Sequence, residues 1–207
     1  KTDVTLMVLA HGTQVAAVFT RNAFCAAPVQ VARAHLMHTM PRALIINTGN
    51  ANAGTGAIGM QVALKTCQVV AAQLHCAATA VLPFSTGVIG EPKNLDEKIA
   101  AVLPEALAHL SQAQWVNAAH AIMTTDMVAK GVSRQVEIDG KTITITGISK
   151  GAGMIRPDMA TMLAFIATDA VMDQFALQIA LNAAVNQSFN RITVDGDTST
   201  NDACVFM

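Results

Sequence analysis

The 207 residues carry 52% hydrophobic and only 13% charged side chains, enough apolar material for one sizeable core and at most two domains. A net charge of −1 without a basic run, and 4% aromatics, argue against nucleic acid as the main partner. No apolar run approaches a membrane span of about 18 residues, and the four scattered cysteines lack a C-x-x-C pair. No disulfide framework and a reducing, cytoplasmic location are therefore expected, with no signal-like segment and no membrane partner.

In chain order, Thr5–Ala10 and Val15–Thr20 alternate or run apolar and predict paired strands around His11-Gly12. Pro28–His38 has helical spacing and stops before Pro41. Ala43–Ile46 predicts a short buried strand, and Asn47–Gly56 a loop of small polar residues. Ile58–Leu74 repeats apolar residues at threes and fours, as a helix does. Ala78–Pro83 predicts a strand, with Ser85–Gly90 turning away from it. Asn94, followed by Asp96 and Glu97, marks a helix start reaching about His109, with a kink or break expected at Pro104. A shorter helix near Ala113–Ile122 follows.

Val132–Ile138 and Lys141–Thr146 flank Asp139-Gly140, a strong hairpin signal. An apolar strand begins at Thr161, Gln174–Phe189 predicts an amphipathic helix, and Ile192–Val194 a strand. Ala203–Met207 reads as a strand that stops without a partner, which predicts a fragment of a longer chain. Strand pairs with helices between them, outside strict βαβ order, predict an α+β layered fold.

Several motifs have ordinary readings that outweigh chemical ones. Gly54-Thr-Gly56-Ala-Ile-Gly59 matches G-x-G-x-x-G, but Asn47–Ala53 separates it from the strand and no carboxylate follows before Glu91. His35 and His38, and His75 beside Cys76, lack the converging ligands of a metal site. Neither Ser85 nor Ser149 sits in a G-x-S-x-G elbow. Asp195–Asp202 fails the EF-hand spacing and reads as a polar loop lining a cleft. Ser85-Thr86-Gly87 has the composition of a plain turn, although a glycine N–H beside a hydroxyl also suits an oxyanion.

The segment from Lys150 to Asp169 differs in kind. A glycine-rich turn and Pro157 deliver the chain to Ala160, and Thr161 opens an apolar run. Cutting the Ala160–Thr161 bond gives Thr161 a free α-amine beside its hydroxyl. The amine titrates near pH 7.7–8.0 and can take the hydroxyl proton at neutral pH. From spacing alone, a threonine at a strand start is simply a good strand former.

Lys150-Gly151-Ala152-Gly153-Met154-Ile155, Pro157 and Met159-Ala160-Thr161-Met162-Leu163 together resemble the self-cleavage site of the ornithine acetyltransferase family, also called bifunctional glutamate N-acetyltransferases. The other blocks that resemble this family, in the same order along nearly the whole chain, are Phe19–Val29, Ile46–Ala53, Pro83–Val88, Ala121–Asp126 and Ile192–Asp202.

The resemblance implies a layered two-sheet core flanked by helices, and scission between Ala160 and Thr161. Residues 1–160 would then form an α piece and 161–207 the start of a longer β piece. Thr161 would be the nucleophile, Thr86 and Gly87 the oxyanion residues, and Lys150 a substrate contact. The substrate-contacting threonine falls in Thr124-Thr125, with Thr125 favoured. Met127 stands where the family has threonine, and Asp158 where it often has asparagine. The activity implied is transfer of an acetyl group from N2-acetyl-L-ornithine to L-glutamate through an acetyl-threonine, in arginine biosynthesis. Acetyl-CoA is implied as a second donor in bifunctional members. Neither metal nor organic cofactor is implied, and two α and two β pieces would associate. The alternatives are an aminopeptidase or amidase of the same fold, and a non-enzymatic glycine-loop binding protein.

Overall fold

The computed structural model describes residues 3–156 and 162–207. Its elements in order are β1 (Val4–Val8), β2 (Ala16–Phe19), α1 (Ala27–His38), β3 (Ala43–Asn50), α2 (Gly56–Leu74), β4 (Val81–Val88), α3 (Leu95–Ala108) and α4 (Trp115–Ala121). They continue as β5 (Lys130–Ile138), β6 (Lys141–Lys150), β7 (Leu163–Thr168), α5 (Gln174–Gln187) and β8 (Ala203–Phe206). One sheet has the order β1-β3-β4 and the other β2-β8-β7-β6-β5.

Alternation along β3, β4, β7 and β8 sorts their side chains between apolar layers. Leu44 and Ile46 of β3 and Leu82 and Phe84 of β4 face Leu163 and Phe165 of β7 and Ala203 and Val205 of β8. The rings of Phe84 and Phe165 meet edge to face, centroids 5.2 Å apart and planes at 80°, a geometry that adds roughly 0.5–1.5 kcal/mol beyond area burial. Ala43, Ile45 and Val81 point the other way, into α1, α2 and α3. Ala164 and Cys204 point away from the inter-sheet layer into α5, whose Leu177, Leu181 and Val185 recur every four residues. The result is the expected α+β architecture, layered helix–sheet–sheet–helix. Among the described residues no helix is long and apolar enough to cross a membrane.

Several sequence expectations need correction. β1 and β2 do not pair. β1 runs antiparallel to β3 and β2 antiparallel to β8, so consecutive strands enter different sheets. Their alternation marks them as strands but carries no information about partners. Parallel crossovers do occur, because α2 links β3 to its parallel neighbour β4 and α5 links β7 to β8. The Ile192–Val194 segment is not a strand. It follows a 3₁₀ turn, Phe189–Arg191, and bonds Ile155 through Val194 N and Thr193 Oγ1. β8 does not lack a partner either, since it lies between β2 and β7 in the larger sheet.

The loops predicted at Asn47–Gly56 and Ser85–Gly90 begin later than expected. β3 continues to Asn50 and β4 to Val88 because each supplies the other's ladder partners. Pro104 lies inside a continuous α3 rather than splitting it. The hairpin at Asp139-Gly140 is as predicted, with both residues at positive φ (52° and 72°). Cys67 and Cys204 are fully buried, and burial pushes both thiols up to about 12, so neither is a ready nucleophile.

Candidate active site

The polar ends of the inner strands meet at one edge of the two sheets. β3 and β4 run parallel, so their C-terminal ends lie side by side, with Asn47 opposite Ser85 and Thr48 opposite Thr86. Ser85 Oγ donates to Asn47 Oδ1 (2.5 Å), and Asn47 Nδ2 donates to the Asn50 carbonyl (2.8 Å), so these buried amides and hydroxyls satisfy one another. Thr48 Oγ1 donates to the Ala121 carbonyl (2.7 Å), which ties β3 to the end of α4.

Gly87 cannot carry a side chain here. Its φ is +133°, and a Cβ would lie 2.3 Å from Gly49 C and 2.5 Å from Asn50 N. The bare backbone lets β4 approach the bulge between Gly49 and Asn50 in β3. The Thr86-Gly87 pair therefore lies at the end of a strand, where the sequence predicts a turn.

Lys150, the last residue of β6, reaches this edge from the other sheet. It is only 6% exposed, and its Nζ donates to Thr86 Oγ1 at 2.9 Å. Burial pulls its ammonium below the ordinary lysine value, Asp126 and Asp202 push it back up, and Lys130 opposes them. Because Thr86 Oγ1 accepts from Lys150, its own hydrogen is directed elsewhere, and a cation behind it makes that O–H a stronger donor. This polarity suits a hydroxyl that must face developing negative charge.

Asp126 is buried in the loop after α4. Burial pushes its carboxyl up, but Lys130 and the Gly151 and Thr124 N–H groups outweigh that and hold it below the ordinary value. Lys130 Nζ lies 2.5 Å from Asp126 Oδ1, and Gly151 N donates to the same oxygen at 2.7 Å. Thr125 sits beside it on an exposed bend, whereas Thr124 is half-buried.

The polar loop before β8 closes the edge. Asn201 Nδ2 donates to the Ala51 carbonyl (2.7 Å), Ala26 N to the Thr200 carbonyl (2.9 Å), and Thr20 Oγ1 to the Ser199 carbonyl (2.8 Å). Met162 N donates to Asp202 Oδ1 at 2.8 Å. The blocks at 19–29, 46–53 and 192–202, far apart in sequence, are thus bonded to one another.

Ala160 and Thr161, the predicted cleavage pair, lie outside the described residues, as does Asp158. Their described neighbours are Met162 and Leu163, and Leu163 pairs with Lys150 in the β6–β7 ladder. Among the sequence candidates, the structure brings Thr86, Gly87 and Lys150 together, while Thr125 stands on the exposed bend beside Asp126. Sequence reasoning overlooked Lys130, which no motif marks, and the roles of Asp126 and Asp202, though both lie in quoted blocks.

The glycine-rich loop is closed on itself. Asn52 Nδ2 donates to the Gly59 carbonyl (2.9 Å), Thr55 Oγ1 to Asn52 Oδ1 (2.8 Å), and a Cβ on Gly59 would strike Thr55. Its third glycine thus serves close packing within the loop. Among the described residues no group of three or more His, Cys, Asp or Glu side chains is arranged to hold a metal.

The family model described as ArgJ family matches residues 1–207. The chain belongs to the ArgJ family. It is 58% identical over 205 residues to the arginine biosynthesis bifunctional protein ArgJ of Methylococcus capsulatus, a match covering 99% of this chain and 50% of that protein. The ArgJ protein of Pseudomonas syringae pv. tomato is 57% identical over 205 residues, with the same shares covered. Among solved structures, ornithine acetyltransferase of Mycobacterium tuberculosis, complexed with ornithine, superposes with a TM-score of 0.60 at 34% identity. That match covers 77% of this chain and 83% of the solved one. The chain spans about half the length of the curated ArgJ relatives it matches.

Proposed function

We propose that this chain is the part of an ArgJ acetyltransferase that carries the nucleophile and its oxyanion donors. The observation that carries this reading is the buried Lys150–Thr86 hydrogen bond beside Gly87, next to the strand that follows Thr161 in sequence. Scission between Ala160 and Thr161 divides 1–160 from 161–207 and frees the Thr161 α-amine. That amine accepts the Thr161 hydroxyl proton as Oγ attacks the acetyl carbonyl of N2-acetyl-L-ornithine. Thr86 O–H and Gly87 N–H donate to the tetrahedral oxygen. The C–N bond then breaks, ornithine leaves with the proton returned by the α-amine, and an acetyl-Thr161 ester remains. The amine of L-glutamate attacks that ester, Thr161 Oγ departs and regains a proton, and N-acetylglutamate is released.

Removing one oxyanion donor typically costs about 2.7–4 kcal/mol in the transition state. Lys150 is placed in the reading both as the polariser of Thr86 and as a substrate contact, and Thr125 as a second substrate contact. Acetyl-CoA as a further donor, association of two α with two β pieces, and a cytoplasmic site of action belong to the same proposal, which rests on the ArgJ relatives.

The test is intact-mass analysis and product tracing on the full-length protein. The expected result is two fragments from wild type, one from Thr161→Ala, and N-acetylglutamate from acetylornithine plus glutamate. An unbroken wild-type chain that still transfers acetyl groups defeats the mechanism. Free acetate in place of N-acetylglutamate assigns the fold to hydrolysis instead.

A further inference from the structure

We propose that Asp126 and Lys130 form a two-point clamp on Gly151 and act as positioning residues that hold Lys150 against Thr86. The inference rests on the acetyl-transfer reading and extends it to two residues that never touch the oxyanion donors.

β6 ends at Lys150, so the polar groups of Gly151 have left the ladder and need other partners. Both are taken up by one ion pair. Gly151 N donates to Asp126 Oδ1 at 2.7 Å, and Lys130 Nζ donates to the Gly151 carbonyl at 3.0 Å and to Asp126 Oδ1 at 2.5 Å. Lys130 opens β5 and pairs in register with Ser149, so it grips the chain just outside the ladder. The Asp126 side chain is wholly buried, whereas that of Lys130 is 41% exposed.

A surface pair at this spacing normally contributes little. This one fixes both peptide groups of the residue next to Lys150, whose long side chain otherwise has several rotatable bonds in which to lose Thr86. Holding the backbone on its C-terminal side, with the ladder on the other, leaves only those side-chain torsions to settle. Fixing a donor in advance in this way is what keeps an oxyanion site free of reorganisation during the reaction.

The charges facing Lys150 are Asp126, Asp202 and Lys130. Two of the three belong to the clamp and act in opposite directions. Removing the cation should therefore move the Lys150 titration up and neutralising the anion should move it down, whereas a fall in kcat with KM little changed is what positioning adds.

The experiment uses full-length protein carrying Lys130→Met, Lys130→Arg or Asp126→Asn. Lys130→Met should lower kcat by about tenfold or more, the scale of a lost charge-assisted hydrogen bond, with KM changed far less, and Lys130→Arg should recover most of the loss. The alkaline limb of the kcat profile should move to higher pH in Lys130→Met and to lower pH in Asp126→Asn. Hydrogen exchange at the Gly151 amide should quicken in Asp126→Asn, where an amide oxygen replaces the carboxylate acceptor. Wild-type kcat in Lys130→Met overturns the clamp, and so does unchanged exchange at Gly151. Absence of acetyl transfer by the unsubstituted protein refutes the functional reading instead, and the exchange result then decides the clamp by itself.

Discussion

Replacing Lys150 by methionine separates what this side chain does for stability from what it does for chemistry. The wild-type ammonium is 6% exposed and donates to Thr86 Oγ1 at 2.9 Å. A hydrogen bond from a charged donor contributes roughly 1.5–3 kcal/mol, so its loss from the proposed oxyanion hydroxyl predicts about a 10- to 150-fold fall in kcat/KM. Stability should respond differently. Methionine nearly matches the length of lysine and removes the cost of burying a cation, while Thr86 loses a donor and Asp126 and Asp202 lose a positive neighbour. These terms oppose each other and leave a net change of about 1 kcal/mol or less.

The pH dependence sharpens the test. Lys150 has a folded value lowered below the ordinary 10.5. Between the lowered and ordinary values the unfolded chain binds more protons than the folded one, so wild-type stability gains from rising pH there. Lys150→Met lacks that gain, and its stability relative to wild type should therefore decline as pH rises through that window. Acetyl-transfer kinetics and denaturant unfolding at several pH values measure both effects. Activity retained within about threefold, or a loss of stability as large as the loss of activity, refutes the assignment.

Gly87→Ala places a methyl against the backbone of Gly49 and Asn50 at a φ of +133°, and should cost about 2–5 kcal/mol in denaturant unfolding. Gly140→Ala, at a φ of +72° in open space, should cost only about 1–2 kcal/mol in the same measurement. The Asp173 side chain accepts from the N–H groups of Phe175 and Ala176 at the start of α5, so Asp173→Ala should lower stability by about 1 kcal/mol and Asp173→Asn by much less. Asp126 has a carboxyl held below its ordinary 3.8. Its contribution is thus fully present above that value and fades as pH falls through the lower folded one. Acid titration of wild type against Asp126→Asn should show the two curves converging there.

Element type was legible wherever periodicity was strong and local. α1, α2, α5 and the Asp139-Gly140 hairpin follow from spacing and turn chemistry within a few residues of their observed limits. Pairing was not legible. β1 and β2 look like neighbours because a short turn joins them, yet each finds its partner much later in the chain, and alternation is blind to that. The strand ends at Asn47–Asn50 and Ser85–Val88 read as loops because asparagine, serine and glycine disfavour strands in isolation. Each segment is a strand only because the other lies alongside it.

At the candidate site, Thr86, Gly87 and Lys150 came from resemblance, and the structure supplies the bond between Lys150 and Thr86. Lys130 had no such signal. A lysine at the start of an exposed strand is what solvation alone would put there. Its role depends on Gly151, which approaches it only after β5 and β6 have paired.

The polarity of the two sheets bears on how this architecture would suit the proposed nucleophile, one made by cutting the chain. In an open sheet of parallel strands, loops at the C-terminal ends hold the ligand. A new chain start, however, has its amine and hydroxyl at the N-terminal end of whatever strand follows it. A single parallel sheet puts those two requirements on opposite edges. Here the C-terminal ends of β3 and β4, bearing Asn47 to Asn50 and Ser85 to Gly87, meet the other sheet where β6 ends and where β7 and β8 begin. The Lys150–Thr86 and Asn201–Ala51 hydrogen bonds mark that meeting. At this edge Met162 N, one residue after Thr161 in sequence, is bonded to the buried carboxylate of Asp202. The bond holds the Met162 amide at the entry of β7. Substituting Asp202 by asparagine tests this reasoning. The substitution keeps the shape and weakens the acceptor, so exchange at the Met162 amide should quicken and kcat should fall while the Lys150–Thr86 pair stays intact. If kcat holds while exchange rises, the fixed entry of β7 is not what aligns the proposed nucleophile with its proposed oxyanion donors.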